Sequence, residues 1–265
     1  MRGVPVAVLG NLSLDLVDGG PPRPGGPPFY ASRAVAALAV PARVRVKCAP
    51  GDRPRFERAF GDVRVEWLAG ASTATYAFSY EGDVRTMEVR ALGDPWTDDD
   101  LAGVDEEWVH VGALFRGEFP PDALAALNER GARISFDGQG LVRPPREGPL
   151  ELEPAPDLSF LRHVSILKLS EEEARALVGR LEERSLSALG VPEVVVTLGS
   201  RGCVVVARRT LVHVPAEPLE GIDPTGAGDA FAAAYLVARS RGHDAGRAAR
   251  RATRIVHRLL ARPAR

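Results

Sequence analysis

The stretch Gly221-Ile222-Asp223-Pro224-Thr225-Gly226-Ala227-Gly228-Asp229 holds the residue types that could handle a phosphoryl group. Two glycines spaced by one residue, together with a proline, demand a tight turn. The residues that follow, Ala230-Phe231-Ala232-Ala233-Ala234-Tyr235-Leu236, are apolar, rich in Ala and free of Gly and Pro, which predicts a buried helix. A Gly-rich turn that opens a helix aims unpaired N–H groups and the positive end of the helix dipole at whatever lies in front of it. Gly226, Ala227 and Gly228 put almost no side chain between those donors and a ligand, so the turn reads as a cradle for a phosphoryl oxygen. Asp229 falls in the first helical turn beside it, where a carboxylate could take the proton of an attacking alcohol. The plain alternative is a Gly turn whose Asp only complements the dipole.

This stretch resembles the signature of the PfkB, or ribokinase-like, family of carbohydrate kinases, whose usual form is Asp-Thr-x-Gly-Ala-Gly-Asp. Asp223, Gly226, Ala227, Gly228 and Asp229 match it, with Pro224 in place of the usual Thr. That change removes one N–H and one hydroxyl from the turn. The resemblance implies a ribokinase-like three-layer α/β/α fold, with a mainly parallel central sheet and a small β lid. It implies a kinase that uses ATP and Mg²⁺, with Asp229 as base and the amides of Gly226, Ala227 and Gly228 as anion hole.

Further positions follow the family's order. Asp15 comes after the first strand, where the family places an Asp on substrate hydroxyls; an exposed strand-end Asp is the other reading. Gly25 and Gly26 match a Gly-Gly pair that precedes a helix and lets backbone approach a sugar. The family's Asn after that pair is missing, with Tyr30 or Ser32 in its region, and a Pro-rich linker is the alternative. Lys168 and Ser170 fall on the segment the family uses for ATP. Ser170 and Glu173 form a Ser-x-x-Glu capping box that needs no ligand, while the family's Asn-x-x-Glu at this spot contacts nucleotide phosphate and holds magnesium through water. Thr197, Gly199 and Gly202 match a Thr-x-Gly-x-x-Gly loop that borders ATP in the family; two glycines three apart between strands also suit a simple hairpin turn. Asp137 ends a strand, where open α/β sheets hold ligands, and Arg143 beyond it is a lead for a phosphate contact.

The elements that must position these residues alternate along the chain. Apolar runs at Val4–Leu9, Arg43–Cys48, Val63–Leu68, Trp108–Gly112, Arg133–Asp137, Val164–Leu169, Glu193–Leu198 and Cys203–Ala207 read as strands. Helical stretches fall at Phe29–Leu38, Arg53–Phe60, Pro121–Arg130 and after Ser170. This rhythm predicts a parallel sheet with helices on both faces. Thr73–Tyr80 and Val84–Val89 alternate with period two around Glu81-Gly82-Asp83, a hairpin signal. Tyr76, Phe78 and Tyr80 share one face of it and need a partner surface, either the hairpin's own domain or a second copy of the chain. The resemblance makes this hairpin part of a lid that often mediates dimerisation. Lid segments of roughly 11–28 and 70–92 are therefore expected on a single kinase domain spanning 1–265. The basic segment Arg239–Arg265, with Ala252, Ile255, Val256, Leu259 and Leu260 at helical spacing, reads as an amphipathic cover helix rather than a nucleic-acid site.

Composition bounds the rest. Hydrophobic residues make up 45% and charged residues 26% of 265, and the net charge is −1. That balance gives no electrostatic case for nucleic acid or membrane. Two cysteines, Cys48 and Cys203, are too few for a disulfide framework. With no targeting segment or membrane span visible, a cytoplasmic enzyme is expected. The predicted reaction is transfer of the ATP γ-phosphoryl group to a hydroxyl of a small sugar or polyol. A nucleoside or inositol acceptor and a silent nucleotide- or sugar-binding homologue remain open. A dinucleotide oxidoreductase is disfavoured, because Gly10-Asn11-Leu12-Ser13 lacks the Gly-x-Gly-x-x-Gly turn.

Overall fold

A computed structural model describes residues 4–81, 84–219 and 221–261. Strand β1 (Val6–Asn11) is buried along its whole length, as a continuous apolar run in the middle of a parallel sheet should be. Next come β2 (Ser13–Val17), β3 (Arg23–Gly25), α1 (Pro27–Ala37), β4 (Ala42–Cys48), α2 (Arg53–Phe60), β5 (Val65–Ala69), β6 (Ala74–Glu81) and β7 (Val84–Ala91). They lead to β8 (Trp108–Val111), α3 (Pro121–Glu129), β9 (Arg133–Asp137), α4 (Gln139–Val142), β10 (Gly148–Pro149), β11 (Val164–Ser170), α5 (Glu171–Val178) and α6 (Glu183–Ser187). The chain closes with β12 (Glu193–Thr197), β13 (Cys203–Ala207), β14 (Thr210–Val214), α7 (Ala227–Ser240) and α8 (Ala245–Leu260).

Nine strands form one sheet in the order β14-β13-β12-β11-β9-β8-β1-β4-β5. From β5 to β12 every pairing is parallel, and β13 and β14 continue it antiparallel. One face is covered by α1, α2, α7 and α8, whose apolar side chains form one core. The opposite face carries the second core, with Leu124 and Leu127 of α3, Ala174 of α5 and Leu186 of α6. The molecule is thus a three-layer α/β/α structure. The chain runs outward from β1 through β4 to β5, then returns to build on β1's other side through β8. The switch in direction lies between β1 and β8, and ligand crevices of open α/β sheets form outside such points.

A second, five-stranded sheet has the order β10-β7-β6-β2-β3. Four of its strands fall inside residues 11–28 and 70–92, and β10 joins from outside them. Tyr76 and Phe78 are buried in one cluster with Leu114 and Phe115, which follow β8. That aromatic face is therefore met by its own chain. Residues 82 and 83 of the expected turn lie outside the described residues, as does the side chain of Tyr80.

Three local features differ from the sequence reading or go beyond it. The Pro-Gly stretch is not loop throughout, because Arg23–Gly25 pairs with β2 as β3. Strand β14 extends the sheet edge by pairing with β13; a five-residue edge strand with mixed burial leaves no clean periodic signal. The C-terminal basic segment is not one helix. Gly242 takes a left-handed φ of 80°, and the Asp244 side chain accepts from Arg247 N at 2.8 Å to start α8.

Candidate active site

The carboxyl ends of β1, β8, β9, β11 and β12 all point to one edge of the large sheet, and α7 begins above it. Gly226 precedes α7 with φ 76° and ψ 2°, a left-handed conformation that suits glycine. Its Cβ position, were there one, would fall 2.0 Å from Cγ of the Tyr30 ring. Gly226→Ala therefore meets both a backbone penalty and a steric one. We expect it to lose about 2–4 kcal/mol of stability in urea unfolding. Gly228 is different: a Cβ there meets only the movable Lys168 ammonium, at 2.9 Å. Gly228→Ala should unfold close to the wild-type midpoint, and equal losses for the two variants would contradict this account.

The turn itself is partly closed. Ala227 N donates to Pro224 O at 3.0 Å, and Thr225 N donates to Asp223 Oδ1 at 2.9 Å. The expected cradle of three amides thus has the Ala227 amide committed to the chain, because Pro224 sets a turn whose carbonyl faces the amide three residues on.

Asp229 lies in the first turn of α7 and is only 9% exposed. Its Oδ1 is buried with no hydrogen-bond partner among the described residues. Burial pushes the carboxyl up to about 7; Asp137 and Glu173 add to that rise, while Lys168 and Arg143 oppose it. A carboxylate that exchanges its proton near neutral pH is suited to general-base work.

Lys168 and Asp137 are direct register partners on β11 and β9. Lys168 Nζ meets Asp137 Oδ2 at 3.2 Å, and both side chains are buried. Gln139 N donates to the other oxygen, Asp137 Oδ1, at 3.1 Å. Burial alone would lower the Lys168 pKa, but Asp137, Glu173 and Asp229 outweigh it and hold the ammonium above its usual range. Glu173 completes the capping box: Ser170 N donates to Glu173 Oε2 at 2.7 Å, and Glu173 N donates to Ser170 Oγ at 3.2 Å. Burial raises the Glu173 pKa against the pull of Lys168. Arg143 follows α4 and lies 5.8 Å from the centroid of the Tyr76 ring. Its Nε is buried without a partner among the described residues. Asp137, Lys168, Glu173, Asp229 and Arg143 thus form one buried electrostatic cluster. Among the described residues no group of three His, Cys, Asp or Glu stands close enough to hold a metal ion by itself.

Thr197 pairs in register with Ser170, and its hydroxyl donates to Leu169 O at 3.2 Å. Gly199 and Gly202 bound a single 3-10 turn between antiparallel strands. Arg201 on that turn forms an ion pair with Glu171 at the start of α5. The ion pair ties this turn to the start of α5, the helix that carries Glu173.

On the second sheet, Asp15 is buried and accepts from Ser13 Oγ at 2.9 Å. A Cβ at Gly25 would fall 2.4 Å from Asp15 Oδ2, so the glycine lets β3 lie against that carboxylate. Gly26 closes on the backbone of Asn11, Leu12 and Ser13 and opens α1. Ser32 turns away: its hydroxyl donates to Phe29 O at 2.7 Å within α1. Tyr30 is the side chain that reaches the site, against Gly226.

Sequence reasoning missed Glu118. It sits at the switch point, fully buried, and accepts from Asn11 N at 3.1 Å and Leu114 N at 2.7 Å. Burial pushes it up to about 8, with the backbone donors opposing. Asn11 in turn accepts from Trp96 Nε1 at 3.0 Å and donates to Asp94 O at 2.9 Å. These bonds fix the path from β1 into the strand that carries Asp15. No local motif announces the bonds to Asn11, because Asn11, Trp96 and Glu118 lie far apart in sequence.

The family model described as the pfkB family carbohydrate kinase matches residues 63–255, well over half the chain. This chain belongs to the pfkB family. Fructokinase of Klebsiella pneumoniae is 30% identical over 263 residues, covering 86% of this chain and 82% of its own. Other curated relatives are matched over less than two thirds of their length, from 24% of one to 62% of another. Ribokinase of Bacillus subtilis, 36% identical over 110 residues, is covered over 38%. Among solved structures, a pyrophosphate-dependent kinase of the ribokinase family, complexed with a pyrophosphate analogue and myo-inositol, matches with a TM-score of 0.87 at 25% identity. That match covers 98% of this chain and 96% of the other. Arabidopsis thaliana ribokinase, complexed with ribose and ATP, shares the fold with a TM-score of 0.74 at 20% identity, over 99% and 94% of the two chains. Family membership supports a phosphotransferase that acts on an alcohol group. No helix among the described residues is long and apolar enough to cross a membrane.

Proposed function

We propose that this pfkB-family protein transfers a phosphoryl group to a hydroxyl of a small polyol or sugar, with Asp229 as general base. The observation that carries the reading is the unpartnered, buried Oδ1 of Asp229 beside the Gly226 turn. A buried carboxylate oxygen without a partner costs stability unless something outside the chain uses it. An acceptor hydroxyl is such a partner, and the raised pKa lets Asp229 take its proton near neutral pH.

The other groups have assigned tasks. The amides of Gly226 and Gly228 meet the transferring phosphoryl oxygens, and the Ala227 amide joins them only if its bond to Pro224 opens. Lys168, Ser170 and Arg143 face the donor phosphates, and Thr197, Gly199 and Gly202 border the donor. Phosphoryl transfer asks chiefly for such positioning and charge stabilisation. Asp15, with Gly25 and Gly26 against it, holds the acceptor's other hydroxyls. Mg²⁺ fits this donor set as an ion carried on donor phosphates and waters, since it needs few protein carboxylates, and Glu173 would hold one of those waters. Its chemistry there is neutralisation of phosphate charge. The small sheet serves as a lid that excludes water.

ATP is the donor in this reading. A second reading has pyrophosphate as donor and an inositol as acceptor. It is favoured by the match to the pyrophosphate-dependent kinase over nearly the full length of both chains. One experiment separates them. The protein is incubated with ATP or with pyrophosphate, each with myo-inositol, D-fructose, D-ribose or cytidine, and products are followed by ³¹P NMR. A new phosphate monoester with one donor supports the proposal and names that donor. Release of phosphate without ester, or no reaction in any pairing, overturns it.

A further inference from the structure

We infer that Tyr30 is the specificity-determining wall of the acceptor pocket, admitting a compact polyol ring and shutting out nucleosides. The inference rests on the reading above and adds which acceptors the pocket takes. The acceptor must reach from Asp15 on the small sheet to Asp229 at the start of α7. Tyr30 bridges those two regions: it lies in the first turn of α1, just past Gly26, which packs on the backbone of Asn11, Leu12 and Ser13, and its ring rests on Gly226 at the start of α7. Its ring lies directly on Gly226, where even a methyl group would collide with it. Burial first, and then the carboxylates of Asp15, Asp229 and Asp223, hold its phenol protonated, above the usual range.

The ring is held from several sides. Phe29 meets it edge-on with centroids 5.1 Å apart. The Arg33 guanidinium lies 5.8 Å from its centroid and 4.6 Å from that of Phe29. Tyr30 also packs against the core beneath α1 and α7. The Gly226 backbone lies against the Cγ end of the ring. A ring fixed in this way loses little entropy when a ligand arrives and does not swing aside for a larger one. Its bulk narrows the acceptor space between Asp15 and Asp229, which suits a compact polyol ring and leaves too little room for a ribose that carries a base. The same placement explains why the glycine before α7 cannot carry a side chain in this chain.

The test measures kcat/KM for myo-inositol, D-fructose, cytidine and inosine on wild type, Tyr30→Phe, Tyr30→Leu and Tyr30→Ala. Tyr30→Ala should lower the polyol value and raise the nucleoside value, shifting their ratio by about 100-fold, as removal of a well-packed wall does. Tyr30→Phe keeps the ring and should hold the ratio within about threefold. Tyr30→Leu retains apolar bulk and gives an intermediate ratio, which keeps the claim testable if the Ala variant does not fold. A parallel fall for all acceptors, with the ratio unchanged, overturns the inference and marks Tyr30 as structural. A wild-type protein inert toward every acceptor sinks the functional reading instead. Calorimetric binding of myo-inositol and cytidine to wild type and Tyr30→Ala then still reads the wall: an unchanged affinity ratio overturns it.

Discussion

Asp229→Asn should lower turnover by about 10²–10⁴-fold and, at the same time, make the protein harder to unfold. The two effects share one cause. Asp229 is buried with an unpartnered oxygen, and its folded pKa of about 7 stands well above an ordinary carboxyl. Below about pH 4 the carboxyl is protonated in both folded and unfolded chains, and it contributes no penalty. Between about pH 4 and 7 the unfolded chain releases its proton while the folded one keeps it, so stability falls as pH rises. Above 7 the folded protein holds a buried charge, and the penalty is complete. Asparagine removes it. The melting temperature of Asp229→Asn should therefore match wild type at pH 4 and exceed it by several degrees at pH 8. Turnover in wild type should rise with pH through about 7, as Asp229 becomes able to accept a proton. A variant with wild-type rates, or one less stable than wild type at pH 8, would falsify the placement of Asp229 as an unpaired base.

Lys168→Met carries the largest expected loss of stability. Lys168 and Asp137 are both buried, with Nζ and Oδ2 at 3.2 Å. Methionine matches the length of the side chain but leaves Asp137 charged in the core without its counter-charge. Breaking one side of such a pair costs about 3–5 kcal/mol, a large share of what a domain has. Activity should fall with it, because the ammonium also lies against Gly228, in the turn proposed to meet the phosphoryl group. The double variant Lys168→Met, Asp137→Leu separates the two losses. With the charge of Asp137 removed along with that of Lys168, it should recover most of the stability in urea unfolding, yet remain inactive in the ³¹P assay. Recovery of activity together with stability would mean that Lys168 serves only the fold.

Local chemistry was legible before any coordinates. The capping box of Ser170 and Glu173 spans four residues, and its two bonds follow from side-chain reach alone. The helix after Gly226 and the strand at Arg133–Asp137 follow from apolar runs bounded by Gly and Pro. The amphipathic cover helix was legible too, since Ala248, Ala252 and Ile255 line its buried face, but its starting point was not. Gly242 and Asp244 break the segment through a turn and a cap, both weaker signals than the Arg-Ala periodicity on each side. Strand β3 was hidden because Arg23-Pro24-Gly25 has loop composition and pairs only because β2 offers an edge.

From residue order alone one could read the Gly-rich turn that opens α7, the acid in its first turn and the alternation that builds a parallel sheet. Each of these depends on neighbours a few positions apart, where backbone sterics and side-chain reach decide the outcome. The tertiary structure decided the rest: that Lys168 lies across from Asp137, that Glu118 reaches the amide of Asn11, and that Tyr30 rests on Gly226. Those contacts arise from strand order and from α1 lying beside α7, which bring together segments far apart along the chain. Periodicity reports which face of an element is buried, but it does not report what that face meets.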